Sequence, residues 1–223
     1  MKSIKENPLL KRALSAIVLA PLAGACIYFG GYLFMGMVMI AALLTMHEWF
    51  NMVKNLTNGT LLIIAGTLYL SLSYFSFVFL RFGFEQGVWL TLTVIVCVWV
   101  SDVMAYAVGK TVKGPKMCPH ISPNKTWTGL GGAMGGFMIV FVIAPLLVPL
   151  GIRPVPFWGM LLSGLALDAI AQAGDLMVSK LKRKSGLKDT GQLIPGHGGL
   201  LDRIDALLLV TPVTLLLLLI WQG

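Results

Sequence analysis

Charge is scarce in this chain of 223 residues: 12% of the residues are charged, whereas 57% are hydrophobic. A soluble domain carries roughly twice that charged fraction. The mean hydropathy is +0.85, and long apolar runs recur along the sequence. These features exclude a soluble globular protein and predict an all-α, polytopic transmembrane helical bundle.

Cysteine is also rare, and the three cysteines, Cys26, Cys97 and Cys118, are far apart with no Cys-x-x-Cys pair. This spacing does not indicate a disulfide framework or a zinc site. Aromatic residues do not alternate with basic ones in the manner of a base-stacking surface, so the net charge of +8 does not indicate nucleic acid as a partner. It indicates contact with anionic lipid headgroups and a positive-inside charge bias.

Seven apolar segments are candidates to cross a membrane. They lie at residues 13–30, 32–50, 61–80, 87–108, 129–150, 157–178 and 200–221. We expect a single integral membrane domain over residues 1–223, with N-terminal membrane helices in 1–95 and catalytic helices and polar loops in 96–223. The basic start followed by an apolar run indicates a first anchor rather than a cleaved signal peptide. The glycines at 30–31 and 129–136 predict close helix packing, kinks or broken helices.

The basic residues predict the orientation of the chain. With the N-terminus inside, all but two of the 17 Lys and Arg residues, Arg81 and Arg153, fall on the inner side. This distribution favours a cytoplasmic N-terminus. Two polar loops, at about 109–128 and 179–199, then both face the cytoplasm.

Most of the nine acidic residues lie within or beside apolar spans or in the second polar loop. Ionisable groups at membrane depth are costly and usually face a partner or a polar cavity. Helical spacing places Asp168 with Asp175, and Asp202 with Asp205, on common faces. Clustered carboxylates favour a hard cation such as Mg²⁺, and we favour this for Asp175, Asp202 and Asp205. The alternatives are pairing with nearby basic residues and, for Asp168, interhelical hydrogen bonding.

The most informative segment spans residues 179–205. Lys182, Arg183 and Lys188 offer positive charge to a phosphate ester. The glycines of residues 195–199 let backbone N–H groups approach an anion. Basic groups, a glycine turn and a cation are the recurring parts of phosphoryl-type transfer, in which catalysis is mostly positioning and charge stabilisation.

This segment resembles the signature of phosphatidate cytidylyltransferases (CDP-diacylglycerol synthases). The similarity runs through Ser179, Leu181, Lys182, Arg183, Lys188, Asp189, Gly191, Ile194, Pro195, His197, Gly198, Gly199, Leu200, Asp202, Arg203, Ile204 and Asp205. Residues 102–110, 122–127 and 172–176 also resemble family segments, as do residues 12–16 and 48–49 near the N-terminus.

The resemblance implies a reaction in which phosphatidate attacks the α-phosphorus of CTP and pyrophosphate leaves. It implies that Asp175, Asp202 and Asp205 hold Mg²⁺, with a second cation such as K⁺ as a further candidate. It implies catalytic roles for Asp175, Lys182, Arg183, Lys188, His197, Asp202, Arg203 and Asp205. The substrate-binding residues that it implies are Asp102, Tyr106, Ser122, Lys125, Thr126, Ser179, Asp189, Gly198 and Gly199.

Membrane lipids are the expected surroundings, a bacterial-type inner membrane is the expected location, and a homodimer is expected from the family alone. His197 is a candidate general base, but a phosphate monoester is already largely ionised near neutral pH, so a positioning role is favoured. The chain departs from the family pattern at Thr128, where many relatives have Glu or Gln, and at Val178, where many have Glu. Alternatives are therefore a cytidylyltransferase for another lipid phosphate and an inactive paralogue. A transporter is disfavoured because no inverted repeat is seen.

Overall fold

A computed structural model describes residues 8–148, 155–193 and 198–222. The helices and strands in these ranges are α1 (Pro8–Phe29), α2 (Gly31–Val53), α3 (Gly59–Phe82), α4 (Gly87–Val112), β1 (Lys116–Cys118), β2 (Ser122–Thr126), α5 (Trp127–Leu147), α6 (Phe157–Lys184) and α7 (Leu201–Gln222). The prediction of an all-α, polytopic membrane bundle is confirmed.

Helices α2 to α7 are each long and apolar enough to cross a membrane, whereas the apolar part of α1 is the shorter stretch Ile17–Phe29. Between α1 and α2, Gly30 and Gly31 have φ angles of 67° and 56°. Glycine adopts such positive angles readily because it lacks a Cβ atom. The glycine pair therefore ends one helix and begins the next, as its sequence predicts.

Two compact units make up the chain. The first contains Met1–Ser71 and Leu181–Ile204, and the second contains Leu72–Lys180 and Asp205–Gly223. The domain organisation expected from the sequence, with its change at residue 95, stays a prediction.

In the second unit, a row of glycines allows α5 to pack closely on α4. Cβ atoms added at Gly129 and Gly136 would lie 2.9 Å from the carbonyl oxygen of Ala105 and 3.1 Å from that of Val100. Gly132 lies between them, against Val108 and Met104. These glycines recur at helical spacing on one face, so the predicted close packing within residues 129–136 is confirmed.

The apolar core of this unit lies where four helices meet. Buried side chains of α4, α5, α6 and α7 form one cluster, whose members are Val94, Cys97, Val98, Phe137, Leu167, Ala171, Ala206 and Val210.

In the first unit, the indole of Trp49 joins α2 to α3. Its Nε1 donates a hydrogen bond to the carbonyl oxygen of Leu62 at 2.9 Å, and its ring lies where a side chain at Gly66 would otherwise be. The hydroxyl of Ser185 donates to the carbonyl oxygen of Met52 at 2.6 Å. The residues that follow α6 are therefore tied to the end of α2.

The sequence places the starts of both polar loops too early. Helix α4 continues to Val112 and helix α6 to Lys184, because helical hydrogen bonding does not stop where the apolar run stops. The first loop also contains an antiparallel hairpin in which Lys116 pairs with Thr126. Its strands contain Pro and Lys and lack an alternating apolar pattern, so the usual sequence signal for a strand is missing.

Candidate active site

In the first unit, two buried carboxylates come together beside the start of α7. We call this group the Glu48–Asp202 cluster and define it as Glu48, Lys182, Thr190, Gly199 and Asp202. Lys182 Nζ lies 2.6 Å from Asp202 Oδ1, and both side chains are largely buried. The sequence predicts Lys182, Gly199 and Asp202 as site residues, and the structure brings these three together.

Asp202 accepts hydrogen bonds on both of its oxygens. Besides the Lys182 contact to Oδ1, its Oδ2 accepts from the backbone N–H of Thr190 at 2.7 Å, the Thr190 hydroxyl at 3.0 Å and the backbone N–H of Gly199 at 3.1 Å. Hydrogen bonds from an ammonium and from backbone N–H groups are strong when the acceptor is ionised. Asp202 is therefore held in one orientation, facing the polypeptide around Gly199.

The Thr190 hydroxyl lies between the two carboxylates. Its Oγ1 is 3.0 Å from Glu48 Oε2 and 3.0 Å from Asp202 Oδ2. A hydroxyl has a single proton, so it donates to only one carboxylate at a time. Glu48 also accepts from the backbone N–H groups of Leu200 and Leu201.

In the second unit, a series of polar contacts crosses from β2 through α6 to α4. We call it the Lys125–Asp175 chain and define it as Ser101, Lys125, Asp168, Gln172, Asp175 and Ser179. Lys125 Nζ lies 2.7 Å from Asp175 Oδ2 and 2.8 Å from Gln172 Oε1. Ser179 donates to Asp175 Oδ1 at 3.1 Å. The predicted residues Lys125 and Ser179 thus both contact the predicted residue Asp175.

The series of contacts in the Lys125–Asp175 chain ends at Asp168, which is fully buried. Ser101 Oγ donates to Asp168 Oδ1 at 2.5 Å, and Gln172 Nε2 lies 3.4 Å from Ser101 Oγ. Asp168 Oδ2 has no hydrogen-bond partner among the described residues. The structure thus bears out the interhelical hydrogen bonding considered for Asp168, and it joins α6 to α4.

Thr126 has a structural contact at the start of α5. Its hydroxyl oxygen accepts the backbone N–H of Gly129 at 3.0 Å and so caps the helix. Thr128, one of the departures from the family pattern, accepts the backbone N–H of Gly114 at 3.2 Å. Val178, the other departure, is fully buried. Both departures therefore have packing or hydrogen-bonding roles in the structure.

The remaining predicted residues are mostly exposed. Tyr106 Oη accepts from Lys110 Nζ at 3.3 Å, and Arg183 donates to the carbonyl oxygen of Leu187 at 3.2 Å. Asp102, Lys188, Asp189 and Arg203 are exposed, whereas Ser122 and Gly198 are partly buried. His197 lies outside the described residues.

Asp205 is buried, and its Oδ1 accepts the backbone N–H of Ala206 at 2.8 Å. A Cβ added at Gly174 would lie 2.8 Å from the Asp205 carbonyl oxygen, so α6 and α7 touch at this point. Asp175, the neighbour of Gly174, therefore lies on the helix that packs against Asp205.

The donor chemistry suits a magnesium ion, because carboxylate oxygens are the ligands that Mg²⁺ prefers. Among the residues that the structure describes, however, no group of three or more His, Cys, Asp or Glu side chains could hold a metal ion. Asp175 and Asp202 are balanced by Lys125 and Lys182. For these two acids the observed partner is a lysine, in line with the ion-pair alternative considered from the sequence.

Glu48, Gln172 and Thr190 were not predicted as site residues. Glu48 carries a usable signal, since an acid inside an apolar span needs a partner. Gln172 and Thr190 are uncharged and carry no comparable signal. Their importance follows from contacts between residues far apart in the sequence, 47 positions for Gln172 with Lys125 and 142 for Thr190 with Glu48.

Comparison with known proteins finds a matched region that includes Gln172 and Thr190. The sequence model described as Cytidylyltransferase family matches residues 57–221. A phosphatidate cytidylyltransferase of Rickettsia felis is 35% identical over 212 residues, which cover 94% of this chain and 91% of that protein.

Two longer relatives are matched over part of their length. The Bacillus subtilis phosphatidate cytidylyltransferase is 37% identical over 156 residues, covering 70% of this chain and 57% of that protein. A Brucella abortus protein of the same name is 41% identical over 152 residues, covering 64% of this chain and 52% of that protein. The matches therefore span little more than half the length of these two relatives.

Proposed function

Because this chain belongs to the cytidylyltransferase family, we propose that it transfers the cytidylyl group of CTP to phosphatidate, giving CDP-diacylglycerol and pyrophosphate. An oxygen of the lipid phosphate forms a bond to the α-phosphorus of CTP, and the bond from that phosphorus to the pyrophosphate oxygen breaks. The similarity over most of the chain to a relative named phosphatidate cytidylyltransferase carries this proposal.

Lys125 is suited to bind a phosphate group. Its ammonium has three N–H donors, of which two are directed to Asp175 and Gln172. Those two contacts hold the ammonium in place and, within the part of the chain that the structure describes, leave one donor for a phosphate oxygen. A positive charge fixed before the substrate arrives stabilises the charge that develops on the transferring group.

Lys182 supplies a second fixed ammonium, held by Asp202 in the Glu48–Asp202 cluster. We propose that Lys182, with Arg183, Lys188 and Arg203, balances the charge of the phosphates. The substrate phosphate attacks directly, so no protein nucleophile is required. His197 is proposed to position the phosphates rather than to remove a proton, since the attacking oxygen is already largely ionised near neutral pH.

We further propose that Asp175, Asp202 and Asp205 hold Mg²⁺, with K⁺ as the candidate for a second cation. A magnesium ion held by these residues would supply positive charge to the phosphates and to the leaving pyrophosphate. The carboxylate oxygens of these residues are of the type that Mg²⁺ selects. This part of the proposal rests on the resemblance to the family and on donor chemistry.

The setting is proposed to be a bacterial-type inner membrane, since the relatives are bacterial and six helices of the described part of the chain are suited to span it. The distribution of Lys and Arg supports a cytoplasmic N-terminus and cytoplasmic polar segments. CTP would then reach the site from the cytoplasm and phosphatidate from the surrounding lipid. A homodimer remains a proposal from the family.

The test is formation of CDP-diacylglycerol by the purified protein in mixed micelles containing phosphatidate, CTP and Mg²⁺. We expect product with the wild type, and none with Asp202→Asn or when a chelator replaces Mg²⁺. Glu85→Gln is the matched control, because Glu85 is an exposed acid outside the site.

A folded wild-type protein that makes no product from phosphatidate, while the Bacillus subtilis relative does so in parallel, would overturn the proposal. A panel of polyprenyl and ether-lipid phosphates then separates the two alternatives. Product from one of these lipids indicates a different lipid substrate, and no product from any of them indicates an inactive paralogue. Full activity after chelation would overturn the magnesium requirement alone.

A further inference from the structure

The Glu48 carboxylate binds the start of a helix that lies far away in the sequence. Glu48 belongs to α2 and is 4% exposed. Its Oε1 accepts the backbone N–H of Leu200 at 2.9 Å, and its Oε2 accepts that of Leu201 at 2.8 Å. Since Leu201 is the first residue of α7, both bonds meet the N-terminus of that helix.

The Glu48 carboxylate supplies hydrogen-bond acceptors that the residues next to the start of α7 do not provide. The first N–H groups of a helix have no acceptor within the helix, and a residue such as Ser or Asp usually caps them. Leu200 precedes α7 and has no side chain that can accept a hydrogen bond. Glu48 supplies both acceptor oxygens, and its negative charge also suits the positive end of the helix dipole.

The same carboxylate is linked to Asp202 through Thr190. The Thr190 hydroxyl lies 3.0 Å from a carboxylate oxygen of each acid, and the Thr190 backbone N–H donates to Asp202. A Cβ added at Gly199 would lie only 2.5 Å from Glu48 Oε2 and would also meet the Thr190 hydroxyl. Glu48 therefore packs against two of the groups that donate to Asp202.

We propose that Glu48 is a positioning residue for the cytidylyl transfer: it fixes the N-terminus of α7 and the Thr190–Gly199 contacts that orient Asp202. Glu48 acts through these groups and touches no substrate. The catalytic part of this inference rests on the proposed function. The contact itself is a property of the first unit and is measurable without any substrate.

Glu48→Gln is the sharpest variant, because it keeps the size of the side chain and removes one acceptor oxygen. The amide oxygen still accepts from one backbone N–H, but the amide nitrogen is a donor and faces another donor. Thr45→Val is the matched control. Thr45 lies three residues earlier in α2, is fully buried, and donates to the carbonyl oxygen of Ala41 in its own helix.

Two measurements are made on the purified protein in detergent. The first is amide hydrogen exchange at Thr190, Leu200 and Leu201. The second is kcat and KM for CTP and for phosphatidate. For Glu48→Gln we expect exchange at Leu200 or Leu201 to rise by roughly tenfold, since a hydrogen bond to a charged acceptor is lost. We expect kcat to fall by about tenfold or more, with each KM within about threefold of the wild type.

A kcat equal to that of Thr45→Val would overturn the positioning role, even with faster exchange. Exchange that accelerates equally in all helices would also overturn it, because the effect would then be general loss of folding. If Glu48→Gln does not fold, Thr190→Val takes its place. It removes only the hydroxyl between the two acids, and we expect a fall in kcat of at least about threefold; an unchanged kcat would count against the proposal.

Failure of the proposed function is recognised separately. If the wild type and Thr45→Val both form no CDP-diacylglycerol, the proposed reaction is wrong. The amide exchange data then test only whether Glu48 holds the start of α7. Unchanged exchange at Leu200 and Leu201 in Glu48→Gln would show that it does not.

Discussion

Lys182 Nζ and Asp202 Oδ1 form an ion pair at 2.6 Å between two largely buried side chains. The two residues are 20 positions apart and both lie in the segment that resembles the family signature. Removing one partner of a buried pair leaves an uncompensated charge, whereas removing both is much less costly. Variants of this pair can therefore distinguish an effect on stability from an effect on catalysis.

We predict that Lys182→Met lowers the free energy of unfolding by about 3 kcal/mol, because Asp202 is left without its ammonium partner. The double variant Lys182→Met with Asp202→Asn should recover most of that stability, since both charges are gone, yet remain inactive. Thermal unfolding in detergent and the CDP-diacylglycerol assay check the two parts. Simple addition of the two stability losses would contradict the prediction.

Lys125 should be required for activity in a way that its neighbour on the hairpin is not. We predict that Lys125→Met lowers kcat/KM by about 100-fold, because the ammonium between Asp175 and Gln172 is lost. Lys116→Met is the control, since Lys116 is an exposed lysine on the other strand. Steady-state kinetics for CTP and phosphatidate make the comparison, and equal losses in the two variants would refute a specific role for Lys125.

Two neighbouring glycines of α5 should respond in opposite directions to the same change. At Gly132 an added Cβ would lie 2.6 Å from Val108 Cβ and 2.8 Å from the Met104 carbonyl oxygen, whereas at Gly131 nothing lies within 4 Å. We predict that Gly132→Ala destabilises the protein by about 1–3 kcal/mol. Gly131→Ala should be neutral or stabilising by up to about 1 kcal/mol, since alanine favours the helix.

Thermal unfolding of both glycine variants in the same detergent tests this contrast. Because the substitution and the helix are the same, differences in expression or helix propensity cannot explain opposite signs. A loss of stability in both variants would mean that the α4–α5 contact is not the cause.

Ser101 should stabilise the buried Asp168. It donates to Asp168 Oδ1 at 2.5 Å, and Oδ2 of the same residue has no partner among the described residues. We predict that Ser101→Ala lowers the free energy of unfolding by about 1–3 kcal/mol, because a buried acceptor loses its donor. Ser101→Ala combined with Asp168→Leu should cost less than Ser101→Ala alone, and unfolding in detergent measures both.

The positions of the helices and the residues of the signature segment could be predicted from the amino-acid sequence alone. Apolar runs mark the spans because a span depends on composition within about 20 residues. In the described residues a helix is found at each of the seven predicted spans, and six of these helices are long and apolar enough to cross a membrane. The close packing of the glycine row of α5 was also predictable from the sequence, because close packing needs small residues at helical spacing. The β1–β2 hairpin was not predicted from the sequence, because its strands carry no alternating apolar pattern.

The partner of each buried polar group, in contrast, depends on how the helices pack in three dimensions. The carboxylates of Asp175 and Asp202 could have met a cation, Arg203 or a distant lysine, and the structure pairs them with Lys125 and Lys182. Glu48 meets the backbone of Leu201 across 153 positions. The physical reason is that helix formation depends on neighbours in sequence, whereas the cost of burying a charge is relieved by whichever donor the packing brings near.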